Sequence, residues 1–584
     1  MTSALVPASL AAWRRSGRAL ALAPLLTLAV APTLTLPLLA AFAPAAHAAG
    51  MPSANVAWLS AAADADIERV FARARAEKKP LLLYWGATWC PPCNQLKATL
   101  FNRQEFAALS KNFVAVHVDG DLPGAQKLGS RFKVSGYPTT VLFTPEGQEI
   151  TRLPGEVDAP QALAVLQLGL SGGRPVKAVL AEALAGKPLK ANEWRLLAFY
   201  SWETDEQQLV PDKADVPLTL AKLAAASAAP APNATADAET NTRLWLKALA
   251  ASDDGKGLKA DDMLRERVRK VLAAPAEARA QMVVLTNGAA VIVRTLEDDD
   301  SQRRAPLVAA FDAALVRLAA DATLSRADRL GALIARIDLA RLASDKDPKE
   351  GKEAKESVHP KLPEPLLADL RVHVARDDRE ISDGYERQAV ITAAGYALGR
   401  AGLWAESEAL LKANLAKSHS PYYLMSQLAS NARKLGKKDE ALRWYGEAFD
   451  KSTGPATRLQ WGSGYLAALV DLAPQDAARI EKVAAALLRE AGGDSGAFEG
   501  RSARSLQRAG NKLLAWNGDG RHAAVMKRLQ GQLDTVCAKV EAADGQRAAC
   551  EKLLKPAAAA AGAKPSLSRL LHRLPWPDAN AKAA

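Results

Sequence analysis

Cysteine and histidine are scarce in this 584-residue chain, which carries four of the first and seven of the second. Cys90 and Cys93 stand close together, but Cys537 and Cys550 follow more than 440 positions later, and the nearest histidine, His117, stands alone. A tetrahedral zinc site needs four protein ligands, usually a second cysteine pair or two histidines, so this spacing argues against a metal. Also missing is a dominant basic tract or a basic patch interleaved with aromatics: 76 Lys and Arg are dispersed among 64 Asp and Glu, for a formal charge of +12. Nucleic acid is therefore not indicated as a partner. The acidic run Glu297-Asp298-Asp299-Asp300 lacks the alternating ligands and the glycine of a calcium loop, and reads as a solvated loop or a helix start.

What the chain does have is Trp89-Cys90-Pro91-Pro92-Cys93, just after the apolar run Leu81-Leu82-Leu83-Tyr84-Trp85. The run reads as a buried strand, and Asn94 to Leu100 reads as the helix that follows the cysteines. Two thiols so spaced can close a disulfide and pass two electrons. The first of them stands at a helix N-terminus, where unpaired N–H groups and the helix dipole favour thiolate over thiol. Pro91 and Pro92 are tolerated in that first turn because its N–H groups have no partner within the helix.

The elements around this motif alternate. Ser60 is expected to cap an amphipathic helix through about Lys78, with Ile67, Val70, Phe71 and Ala74 on one face and Pro80 as its stop. Residues 113–118 read as a second strand, 122–132 as a helix and 139–143 as a third strand. Pro145-Glu146-Gly147 turns that strand into the partner 149–153, and a last helix is expected over about 158–170.

On Trp89-Cys90-Pro91-Pro92-Cys93, on Gly136-Tyr137-Pro138-Thr139 before a strand, and on Gly147 in the hairpin, residues 58–172 resemble the thioredoxin family, specifically domains of the thiol-disulfide interchange type. The resemblance covers about a fifth of the chain. It implies an α/β thioredoxin fold, a cis Pro138 beside the cysteines, and a Tyr137 whose backbone meets an extended substrate segment. Thiol chemistry assigns Cys90 as the nucleophile that forms a mixed disulfide and Cys93 as the resolving thiol. Trp89 would shield the pair and shape the docking surface. The only redox group called for is the Cys90–Cys93 disulfide itself, with no metal and no other cofactor.

Two departures from the family stand out. Six positions before the first cysteine thioredoxins carry a buried acid, and this chain has Tyr84. A phenol with an ordinary pKa near 10 is no carboxylate base at neutral pH, so resolution depends on water or another acid. The double proline leaves mainly the amides of Cys93 and Asn94 to hold a Cys90 thiolate, and no histidine lies between the cysteines. The Cys90 pKa is then expected to be lowered, but less than in strong oxidants, which favours reduction or exchange over net oxidation.

At the N-terminus Arg14, Arg15 and Arg18 precede an uncharged stretch from Ala19 to Ala49 that ends in the small-x-small site Ala46-His47-Ala48. Residues 1–48 read as a secretory signal cut after Ala48, and Pro24, Pro32 and Pro37 argue against an uncleaved anchor, which is the alternative. Its removal lowers the formal charge from +12 to +9. The compartment expected is the periplasm, with an inner-membrane anchor facing it if the segment stays uncut.

From about 173 the chain turns to Ala, Leu, Arg and Glu with helical periodicity. Length predicts three or four domains. A helical region over 173–344 contains a flexible excursion near 224–242. A linker at 345–365 leads to a second helical domain over 366–555, and 556–584 reads as a flexible tail. Gly402 and Gly436 repeat at 34 residues, and Leu435 to Tyr445 resembles the middle of a tetratricopeptide repeat, with Ala441 and Ala448 as close-packing positions and Ser407 in place of the earlier unit's alanine. Cys537 and Cys550 flank Asp544-Gly545 and are expected to form a structural disulfide across a helix-helix turn.

The expectation is a multidomain exported thiol-disulfide oxidoreductase: an α/β thioredoxin fold followed by a large all-α, TPR-like region that recruits partners. Those partners would be proteins bearing disulfides or thiols, and a membrane or periplasmic electron donor upstream. A chaperone or scaffold with little redox turnover is the alternative.

Overall fold

The computed structural model describes residues 55–153, 155, 157–205, 208–228, 236–252, 257–298, 301–342, 357–541 and 545–555. Residues 1–48, expected from sequence to be a secretory signal, residues 556–584, expected to be a tail, and positions 345–356 of the expected linker lie outside them.

The run from Leu81 is apolar without alternation because it becomes β2 (Leu81–Gly86), an interior strand buried at all six residues. Among the described residues one five-stranded sheet forms in the order β1-β3-β2-β4-β5, with β1 at Leu59–Ser60, β3 at Val114–Asp119, β4 at Thr139–Phe143 and β5 at Glu149–Leu153. β3 runs parallel to both β1 and β2, while β4 is antiparallel to β2 and β5. Gly147, at φ 90°, makes the β4–β5 turn.

The sheet separates two apolar layers. Leu81, Leu83 and Trp85 face α1 (Asp64–Glu77) together with Val116 and Val141. Leu82 and Tyr84 face the other way, towards α2 (Pro91–Leu96), which continues as a wider turn over Lys97–Phe101, then α3 (Gln104–Leu109). α4 (Ala125–Arg131) and α5 (Ala159–Leu170) complete the domain.

Ile67, Val70, Phe71 and Ala74 are buried on α1 as the spacing predicts, but Ser60 does not cap the helix; it ends β1. The acceptor is Asp66, whose Oδ2 takes N–H bonds from Ala62 and Ala63, both at 2.9 Å. A carboxylate in the first turn both accepts these amides and meets the positive end of the helix dipole, which a hydroxyl three residues too early cannot do.

The all-α region follows. α6 (Val176–Leu184), α7 (Ala191–Phe199), α8 (Val216–Ser227) and α9 (Ala238–Ala251) close over the Leu82–Tyr84 face. A separate apolar core joins α10 (Asp262–Ala273), α11 (Pro275–Ala280), α12 (Met282–Leu296), α13 (Arg304–Ala320), α14 (Arg326–Arg341), α15 (Glu364–Glu380) and α16 (Gly384–Arg400). The last helices are α17 (Trp404–Asn414), α18 (Pro421–Lys434), α19 (Lys438–Lys451), α20 (Pro455–Leu472), α21 (Ala477–Gly492), α22 (Gly500–Trp516), α23 (Ala523–Cys537) and α24 (Gln546–Lys552).

Both ends of the expected excursion at 224–242 are helical. Asn241 Nδ2 on α9 donates to Ala224 O at 2.6 Å and to Ser227 Oγ at 2.8 Å, drawing α8 and α9 together; 229–235 lie outside the described residues. Gly402 and Gly436 both adopt positive φ in the turns before α17 and α19, and Ala441 and Ala448 are buried. Ser407 fits the close approach because its Oγ donates to Gly395 O at 2.7 Å. No helix among the described residues is long and apolar enough to cross a membrane.

Replacing Asp66 by Ala should cost about 1 kcal/mol of local stability, read as roughly fivefold faster amide exchange in the first turns of α1. Ser60→Ala should leave those rates unchanged.

Candidate redox site

β2 ends at Gly86, and the turn after it delivers Cys90 to the N-cap of α2 with Pro91 and Pro92 in the first turn. Cys90 and Cys93 are joined as a disulfide with their Cα atoms 5.2 Å apart. The Cys93 amide donates to Cys90 Sγ at 3.3 Å. The Asn94 amide, the other donor expected for that sulfur, is spent on Cys90 O at 3.0 Å as a helical bond. Asn94 Nδ2 holds the turn from the side, donating to Thr88 O and Cys90 O, both at 2.8 Å. The peptide bond before Pro138 is cis.

The helix tip is buried, whereas a nucleophilic Cys90 at the start of a helix is expected from sequence to be exposed. Cys90 is 2% and Cys93 0% accessible, and both share an apolar core with α18 to α24. Trp89 explains much of this. Its ring stacks on Tyr423 of α18 at 5.7 Å, lies 5.4 Å from Trp461 of α20 and 6.5 Å from Tyr137, and carries the Arg501 guanidinium of α22 at 4.9 Å. Arg501 also covers the Tyr137 ring at 5.2 Å, and Tyr137 Oη meets Gln126 Nε2 at 2.6 Å. His419, just before α18, reaches Thr88 O at 3.0 Å through Nε2.

Asp121, in the loop after β3, gathers these parts. It accepts from Trp89 Nε1 at 2.7 Å, from the Thr457 amide at 2.9 Å, from Thr457 Oγ1 at 2.6 Å and from Arg501 Nη2 at 2.9 Å.

Beneath the cysteines the position of the family's acid is filled by Tyr84, fully buried and stacked on His117 at 5.2 Å, its Oη without a hydrogen-bond partner among the described residues. Burial raises the Tyr84 phenol far above its usual range and pushes His117 down to about 3, so both are neutral at pH 7. Ionisable groups do lie nearby. Asp119 pairs with Gly86 in the β2–β3 register, and alternation puts it on the Tyr84 side of the sheet. Burial, with the adjacent Asp121 charge, pushes Asp119 up to about 6. Lys97, 1% accessible and 4.9 Å over the Tyr385 ring, is brought down to about 8 by burial.

Cys537 and Cys550 are also joined, with Cα atoms 5.6 Å apart, at the end of α23 and within α24, both buried. Of the residues singled out from sequence, the fold gathers Trp89, Cys90, Cys93 and Tyr137 at one site, and the cis bond to Pro138 follows Tyr137. Sequence reading missed Asp121, His419, Tyr423, Thr457, Trp461 and Arg501, none of which carries a local motif.

Residues 67–169 match the family model for a thioredoxin-like domain. Over 112 residues the chain is 32% identical to the thiol:disulfide interchange protein DsbD 2 of Pseudomonas aeruginosa, covering 18% of this chain and 19% of that protein. It is 33% identical over 98 residues to the thiol:disulfide interchange protein DsbD of Yersinia pestis, 16% of each. The chain thus spans about a fifth or less of the length of these interchange proteins. A thioredoxin-like protein of Synechocystis is 32% identical over 90 residues, which are 15% of this chain and 81% of that protein. The family-model match takes in Cys90, Cys93, Tyr137 and Pro138, and by this domain the chain belongs to the thioredoxin family.

Proposed function

We infer that the protein is an exported thiol-disulfide oxidoreductase working through Cys90 and Cys93. The observation that carries this reading is the cysteine pair at the start of α2, where the Cys93 amide points at Cys90 Sγ on a thioredoxin-like scaffold. In the reducing direction the Cys90 thiolate attacks one sulfur of a substrate disulfide; that S–S bond breaks and the leaving thiolate takes a proton. Cys93 then loses its proton, attacks Cys90 Sγ and releases the second substrate thiol. The substrate gains two electrons, the protein is left as the Cys90–Cys93 disulfide, and an upstream donor must reduce it again. Trp89 and the Tyr137–Pro138 backbone form the docking surface. Reduction or exchange is favoured because a single amide reaches the Cys90 sulfur and no histidine lies between the cysteines. Export to the periplasm rests on the reading of residues 1–48, and protein partners on the likeness to interchange proteins.

Asp119 takes the place of the missing acid and accepts the Cys93 proton, directly or through water. It faces the Tyr84 side of the sheet one strand over, with a carboxyl near 6. Cys537–Cys550 is a structural staple, since both sulfurs are buried.

A scaffold or chaperone with little turnover is the second reading, favoured by the burial of the dithiol. Equilibration with glutathione buffers, with Cys537 and Cys550 replaced by Ser, separates these. A potential near about −270 mV supports a reductase, and one near about −120 mV overturns the direction. Cys93→Ala should trap mixed disulfides at Cys90, whereas a scaffold gives none.

A base must be deprotonated to take a proton, so resolution should accelerate as pH rises through about 6. Asp119→Asn should remove that rise and slow resolution by about 100-fold at pH 7, followed by stopped-flow tryptophan fluorescence.

Replacing both Cys537 and Cys550 by Ser should remove about 3 kcal/mol of stability and speed proteolysis within α23–α24. The Cys90–Cys93 potential should not change.

A further inference from the structure

The face on which a partner disulfide would have to dock is already occupied, and by this chain. Every loop bordering the cysteines is touched by the last helices: Thr88 by His419, Trp89 by Tyr423 and Trp461, the loop after β3 by Thr457, and Ser135 O by Arg504 Nη2 at 3.2 Å. An attacking thiolate needs a clear line to its target sulfur, and 2% accessibility at Cys90 leaves none for a protein substrate.

The fastening is built for one acceptor. α20 starts at Pro455 behind Gly454, which has no side chain to cap the helix and sits at φ 87°. The acceptor comes from the redox domain: Asp121 Oδ1 takes the Thr457 amide in the first turn of α20, while its carboxylate also takes Thr457 Oγ1. A carboxylate there meets unpaired amides and the positive end of the helix dipole, as a normal N-cap would. The glycine is required by the approach, because a Cβ on Gly454 would lie 2.6 Å from Asp121 Cβ. Arg501 completes the joint with an ion pair at 2.9 Å and its N–H to Gln126 Oε1 at 2.8 Å.

We propose that the helices α18, α20 and α22 are an intramolecular cap on the Cys90–Cys93 site, latched by Asp121 to the N-terminus of α20, and that a protein partner reaches Cys90 only when this cap lifts. The latch is polar and directional, and its Arg501–Asp121 pair retains 14% and 12% side-chain exposure at the edge of the apolar core that the cysteines share with these helices, where water can compete for it first. This rests on the reading of Cys90 and Cys93 as an exchanging pair.

The test uses the full-length reduced protein, with Cys537–Cys550 left oxidised. Labelling of Cys90 by a maleimide-polyethylene glycol is timed in wild type, Gly454→Ala and Arg501→Ala, and the Cys90–Cys93 potential is measured against glutathione in each. The cap predicts labelling about tenfold faster or more in both variants, with potentials unchanged. Equal labelling in wild type and variants overturns it. A pair that exchanges with glutathione in no variant, but labels faster in both, sinks the redox reading and leaves the cap standing. Gly454→Ala strains a left-handed position, so amide exchange in wild type gives an answer free of variants. A Thr457 amide whose exchange speeds up severalfold from about 0.1 to about 1 M NaCl, while the middle of α20 is unchanged, supports a lifting latch, and exchange at Thr457 unaffected by salt overturns it.

Discussion

A carboxylate taken out of water must be met by donors, and at Asp121 that requirement organises the contact between the redox domain and the helices. With its side chain 12% exposed, it collects one donor from the Trp89 indole and the rest from Thr457 and Arg501. The indole is thereby fixed in the plane that stacks on Tyr423, and α20 and α22 are fixed relative to the cysteines. Removing the carboxylate would leave a helix start, a guanidinium and an indole N–H all seeking other partners in a largely enclosed space. The redox motif, its tryptophan and three distant helices therefore share one electrostatic joint.

The thioredoxin-like domain was legible because its signals are local. A strand buried on both faces must be continuously apolar, as 81–85 is; a cysteine pair with prolines fits only the start of a helix; and Gly147 marks the turn that its positive φ requires. The error at Ser60 has the same origin, since a hydroxyl before a periodic stretch reads as a cap until the nearer Asp66 is seen to take the amides. The covering of the site was not legible. Asp121 and Arg501 are 380 positions apart, and neither sits in a pattern that names the other. Gly454-Pro455 announces a helix start, but nothing in the sequence says that its acceptor comes from another domain.

The exchange of an acid for Tyr84 has consequences beyond one side chain. In a site where burial keeps the phenol and His117 neutral, no charge lies directly under α2 at that position. The ionisable groups have moved outward along β3 and α2, to Asp119 and Lys97. Buried charges are costly to keep, and beside the Tyr84, His117 and Phe101 rings each has a partner: Lys97 lies over the Tyr385 ring and Asp119 Oδ1 accepts the Asp121 amide at 3.0 Å. The proposed transfer of the Cys93 proton to Asp119 would give that charge a use in the reaction as well.

Two roles for the last helices pull against each other. Helical repeats are suited to holding protein partners, yet here α18, α20 and α22 spend their aromatic and arginine side chains on Trp89 and Tyr137. A partner that must contact Cys90 competes with a surface tethered in the same chain, and its apparent affinity falls by the fraction of time the site is open. A partner that binds the helices on the surface they present to Trp89 would gain the same fraction back by holding them away from the cysteines. Recruitment and uncovering would then be one event, and selectivity would lie in what can displace Trp461 and Arg501 as much as in what exchanges with the dithiol.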